Sequence, residues 1–112
     1  KRENLPLIDL NKQSSLLLLH TGMGGSKHIY VHFPMGTFSW QTKAFEDNTH
    51  FTPFGAYELS KLVIQELKNM KHPLAEHLRD DWTDFIPYYP DNSAEFYWPQ
   101  SIFHDGAKPD GN

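Results

Sequence analysis

The chain has 112 residues, enough for one domain with a modest core, and carries ten basic against fourteen acidic residues for a formal charge of −4. That balance argues against a nucleic-acid binder, which needs a basic face, and no apolar run is long enough to cross a bilayer, the longest being the leucines Leu16–Leu19. Cysteine is absent, which excludes disulfides, thiolate zinc sites and a cysteine nucleophile.

The opening "KRENLPLIDL" reads as cut from something longer, with no signal-peptide pattern in it. Leu5–Leu10 is a short apolar run whose length and branched residue predict a buried strand. Asp9 or Asn11 is then placed to cap a helix over about 12–19, its four leucines buried on more than one side. The glycines of "HTGMGGS" supply the φ > 0 positions that end helices. "KHIYVHF" alternates and predicts an extended segment. The stretch from Pro34 to Pro53 holds no sustained period and is expected to be a long surface loop.

From Phe54 to Met70 a helix is predicted. Ala56, Leu59, Val63, Leu67 and Met70 recur on one face and Glu58, Lys61, Gln65 and Lys68 on the other, with Thr52 at the N-cap and Pro53 at the first helical position. Pro73 opens a second short helix. The remainder is an irregular arm with turns at Pro90-Asp91-Asn92 and Asp105-Gly106.

Asp47 and His50 stand three residues apart, just ahead of the predicted helix. Asp-Asn is turn chemistry, its side chains bonding amides two residues on. The same spacing also lets a carboxylate fold back onto the ring, hold Nδ1–H and leave Nε2 free to take a proton from a nucleophile. Gly55 and Ala56 would let the helix start pack closely on neighbouring backbone.

The other histidines do not make a metal site. His28 and His32, on an extended segment, lie about 13 Å apart, and His72 and His77 straddle a proline without converging. Trp82, Tyr88, Tyr89, Tyr97 and Trp98 fit two readings: rings that pin an irregular arm to the body, or a platform for sugar rings.

The run from Asp47 to Leu67, opening D-N-T-H-F-T-P-F-G-A, resembles the last block of the SGNH (GDSL-type) hydrolases, in particular the rhamnogalacturonan acetylesterase branch. The strand, helix and Gly-containing loop read upstream resemble what precedes that block. The resemblance implies an α/β fold, the C-terminal part of a three-layer α/β/α (flavodoxin-like) hydrolase, with residues 1–72 in the hydrolase domain and 73–112 an aromatic-rich extension packed on it. It further implies His50 as general base and Asp47 as its orienting carboxylate, with no metal or organic cofactor. Phe33, Phe38, Trp40 and Phe51, close to the Asp–His turn, are candidates for substrate contact. The Gly-Asp-Ser block that carries the family's nucleophile is not in the chain, and none of its seven serines has that context. The expected function is therefore the C-terminal portion of a secreted or periplasmic esterase that removes acetyl groups from plant pectic polysaccharide, inactive alone. Such a portion should self-associate or require its N-terminal half. The alternative is a non-catalytic module that binds sugar through its aromatic arm.

Overall fold

The computed structural model describes residues 5–99. Helix α1 spans Leu10–Ile29, strand β1 Tyr30–Phe33, strand β2 Phe45–Phe51 and helix α2 Pro53–Asn69, followed by a short 3-10 helix at Pro73–His77. The fold is α/β, with two helices packed beside one two-stranded antiparallel sheet.

The expected strand at Leu5–Leu10 is not formed. Residues 5–9 have no regular structure, Leu10 opens α1, and Leu5 and Leu7 are exposed. A strand needs a neighbour to take its backbone hydrogen bonds, and among the described residues none runs alongside. Asp9 does cap α1, its carboxylate accepting from the Lys12 amide at 3.0 Å. The helix outruns its predicted end. Gly22, at φ 65 and ψ −177, kinks it instead of terminating it, and helical structure resumes to Ile29. Of the four leucines only Leu17 is fully buried, and Leu19 is exposed.

The predicted extended segment becomes β1 from Tyr30 onward. The predicted long loop is a hairpin arm: after a turn region, its second half forms β2 and pairs with β1. Tyr30 stacks on Phe51 at 5.3 Å across that pair, the kind of cross-strand aromatic contact that stabilises a ladder.

Helix α2 begins as its sequence requires. The Thr52 hydroxyl accepts from the Gly55 amide at 3.0 Å, and Pro53 takes the first turn. Its packing departs from the amphipathic pattern. Glu58 is 0 % and Lys61 7 % exposed, whereas Ala56 is exposed. The reason is non-local: the arm after the 3-10 helix crosses the face that the sequence marks as polar. Phe85 is buried there, its amide donating to Gln65 Oε1 at 2.9 Å, and Lys61 Nζ lies 4.0 Å from the Phe85 ring centroid. Lys61 also pairs with Asp91 at 2.5 Å and with Glu58 at 2.6 Å, the latter an ion pair rather than a directed hydrogen bond.

The core proper is small: Leu17, Ile29, Phe54, Leu62 and Phe85, with Trp82 and Phe96 of the arm packed on it. The two readings of the tail aromatics therefore divide between residues. Phe85, Trp82 and Phe96 anchor the arm, while Tyr88, Tyr89, Tyr97 and Trp98 stay exposed. The turn expected at Pro90-Asp91-Asn92 sits slightly later, closed by the Glu95 amide on the Asn92 carbonyl at 3.0 Å. The turn expected at Asp105-Gly106 lies outside the described residues.

Candidate active site

The Asp47–His50 segment is a bulge in β2. Tyr30 pairs with Phe51 and His32 with Glu46, so Val31 alone stands opposite the four residues 47–50. Extra residues of this kind interrupt the ladder and re-aim the side chains they carry.

Three sets of hydrogen bonds hold the bulge. Asp47 Oδ1 accepts from the backbone amides of Thr49 at 2.6 Å and His50 at 3.0 Å. Asp47 Oδ2 accepts from His50 Nδ1 at 2.6 Å. From across the ladder, His32 Nε2 donates to Asn48 Oδ1 at 2.7 Å. The two sequence readings of Asp47 are thus both realised in one side chain. One carboxylate oxygen makes the turn and the other holds the ring.

The electrostatics follow from this geometry. The backbone amides of His50 and Thr49, then the His50 ring, favour the carboxylate and hold Asp47 down at about 2, below its ordinary 3.8. An ionised carboxylate only accepts, so the proton of the 2.6 Å contact resides on His50 Nδ1. In the neutral ring Nε2 is then the unprotonated, basic nitrogen. The imidazole is 78 % exposed and Asp47 34 % exposed, so the ring is presented outward while its partner is half-covered.

Helix α2 fixes this turn to the body of the protein. The Thr52 amide donates to the Ile29 carbonyl at 2.9 Å, and its hydroxyl donates to the His28 carbonyl. Gly55 lies against the same backbone; a Cβ there would sit 2.1 Å from Ile29 O. Gly55 serves the close packing expected of it, whereas exposed Ala56 does not.

Of the four aromatics expected near the site, Phe33, Phe38 and Trp40 form one continuous group with Phe45 at the far end of the hairpin. Phe33 meets Phe38 edge-on at 5.3 Å, Phe38 and Trp40 are parallel within 6° at 5.5 Å, and Trp40 meets Phe45 at 6.0 Å. Phe51 is separate, stacked on Tyr30 beside the dyad. The sequence reading missed the contributions of His32 and Asn48. The clue was the pair of aromatic positions, Phe45 and Phe51, that bracket "EDNTH" and meet β1.

Among the described residues no hydroxyl is hydrogen-bonded to His50, and no three His, Asp or Glu side chains converge as a metal-ligand set.

Two curated proteins of Bacillus subtilis (strain 168) match this chain. The rhamnogalacturonan acetylesterase RhgT is 35 % identical over 78 residues, covering 70 % of this chain and 34 % of that protein. The probable rhamnogalacturonan acetylesterase YesY is 37 % identical over 76 residues, covering 68 % of this chain and 31 % of that protein. The chain is related to the rhamnogalacturonan acetylesterases. This bears out the resemblance carried by the Asp47–Leu67 run. A stretch of 76 residues cannot be placed in a 112-residue chain without including residues 37–76, so the bulge and all of α2 lie inside the matched region. The matched stretch spans about a third of the length of these curated relatives. No family model matches the chain, and no solved structure matches it significantly.

Proposed function

We propose that this chain supplies the general base and its orienting carboxylate to a carbohydrate O-acetyl esterase acting on pectic polysaccharide. The observation that carries the reading is the Asp47 carboxylate 2.6 Å from Nδ1 of an outward-facing His50, within a stretch related to acetylesterases. On this reading the chain forms the C-terminal part of a three-layer α/β/α hydrolase, and the nucleophilic serine and oxyanion donors come from outside it.

The chemistry assigns each atom a task. A serine hydroxyl attacks the acetyl carbonyl while His50 Nε2 takes its proton, and Asp47 stabilises the imidazolium through Nδ1–H. Backbone and amide donors then hold the tetrahedral oxyanion. His50 returns the proton to the departing sugar oxygen, leaving acetyl-serine. Water, deprotonated by the same nitrogen, attacks the acetyl carbon, and as the bond to serine breaks His50 passes that proton to the serine oxygen, releasing acetate and restoring the hydroxyl. Phe33, Phe38, Trp40 and Phe51 offer flat apolar faces of the kind pyranose C–H groups pack against.

An open groove of about 260 Å³, lined mainly by Leu10, Leu17, Leu18, Ile29, Tyr30 and Leu59, is where the serine-bearing portion would seat. Light scattering tests this: a chain that stays strictly monomeric on its own contradicts it.

The functional test is acetate release from acetylated rhamnogalacturonan by the chain assembled with that portion. His50→Ala should cost about 10²–10⁴-fold in turnover, with an unchanged far-ultraviolet circular dichroism spectrum. A rate like the wild type's removes His50 from the mechanism.

A further inference from the structure

A band of aromatic side chains leads away from the dyad along α2. It starts at Phe51, next to His50 in the chain, where Phe51, Pro53, Ala56, Tyr57 and Trp98 border a shallow depression of about 440 Å³. Tyr57 also borders a second depression of about 440 Å³, completed by Asp91, Asn92, Glu95, Phe96 and Tyr97. Three of the rings adjoin one another, and Phe51 faces them across the first depression. Tyr57 and Phe96 are 5.2 Å apart between centroids, and Phe96 and Trp98 are 6.2 Å apart and tilted by only 20°.

Anchoring does not account for these rings. Phe96 packs on the core, but Tyr97 is 82 % and Trp98 58 % exposed, so neither contributes the burial that would hold the arm. The polar groups of the second depression are set in place beforehand. Asn92 Nδ2 donates to Glu95 Oε1 at 2.9 Å, and Asn92 Oδ1 accepts from the Ala94 amide at 3.1 Å. Flat rings beside a fixed amide and carboxylate suit a pyranose, whose C–H face packs on an aromatic while its hydroxyls donate to oxygens.

The local charge selects among sugars. Asp91 is paired with Lys61, but among the described residues Glu95 has no cationic partner within salt-bridge distance. A uronate carboxylate brought beside Glu95 meets like-charge repulsion, whereas a neutral ring does not.

We infer that the Tyr57–Asn92–Glu95–Tyr97 depression is a subsite for a neutral sugar residue, distal to the dyad and joined to it by the Phe51–Trp98–Tyr57 band. The link to the dyad rests on the esterase reading. The subsite itself stands on its own geometry.

Isothermal titration of the chain with a neutral rhamno-oligosaccharide, and separately with an oligogalacturonate, tests it. The neutral oligomer should bind saturably and the acidic one at least about ten-fold more weakly. Tyr97→Ala should weaken the neutral oligomer about ten-fold, and Glu95→Gln, which keeps the contact to Asn92, should narrow the gap between the two ligands. Equal binding of both oligomers, no binding of either, or an unaffected Tyr97→Ala overturns the subsite. The two proposals fail separately. His50→Ala should leave the titration intact. An inert dyad with normal titration overturns the esterase reading alone.

Discussion

Replacing Gly55 by alanine tests how the dyad is held to the body. By helix propensity alone the change stabilises α2 by about 1 kcal/mol. The local geometry opposes it: the new Cβ would lie 2.1 Å from Ile29 O, 2.8 Å from its carbonyl carbon and 2.9 Å from its Cα. All three are backbone atoms, so no side chain can swing aside. The start of α2 must retreat by about 1 Å to reach the shortest contact real Cβ atoms make. That retreat pulls the Thr52 amide off the Ile29 carbonyl, now 2.9 Å away, at a cost of about 1 kcal/mol. Overpacking adds about 1–3 kcal/mol. The net expectation is a destabilisation of about 2 kcal/mol, a fall of roughly 8–16 °C in Tm for a chain of this size. Thermal melts of Gly55→Ala beside Ala56→Gly provide the assay. The second change, at an exposed position, should cost only the propensity difference of about 1 kcal/mol. A Gly55→Ala chain that melts higher than the wild type would refute the claim that this close approach is required.

Glu58→Ala should cost about 1–3 kcal/mol in urea denaturation, because it removes one of the two carboxylates on buried Lys61 and the acceptor of the Asp91 amide while Asp91 still pairs with Lys61, whereas Glu58→Met with Lys61→Met should come close to neutral; equal losses would contradict the burial of the pair. Lys71 occupies the left-handed position of the α2 C-terminal cap at φ 53, with His72 N–H on Leu67 O at 2.9 Å and Lys71 N–H on Lys68 O at 3.0 Å. Lys71→Gly should therefore raise stability by about 1 kcal/mol, and no gain in the melt would count against that cap. Asp47, depressed to about 2, contributes stability that is complete above its ordinary 3.8 and lost as pH falls through about 2. Its side-chain carboxyl carbon should titrate by NMR with a midpoint near 2, and a midpoint at the ordinary value would contradict the hydrogen bonds drawn to it.

What the sequence made legible was local. Thr52, Pro53 and the spacing of α2 announce the helix through cap chemistry and period, which need no tertiary context. Asp47 and His50 were legible because one four-residue turn contains both partners. The strand around them was not. The four residues opposite Val31 break the alternation that identifies a strand, so β2 reads as loop until β1 is laid against it. Glu58 and Lys61 misled for a related reason. Their charges mark a solvated face, and only the arm brings Phe85 and Asp91 over it. Leu5–Leu10 shows the converse, an apolar run that becomes a strand only beside another strand.

For His50 Nε2 to serve as the base, Asp47 must hold the ring proton on Nδ1. Long-range ¹H–¹⁵N NMR of the neutral His50 ring measures this directly. The 2.6 Å contact of Nδ1 with the Asp47 carboxylate requires the Nδ1–H form, with Nε2 unprotonated. A ring found in the Nε2–H form would contradict it.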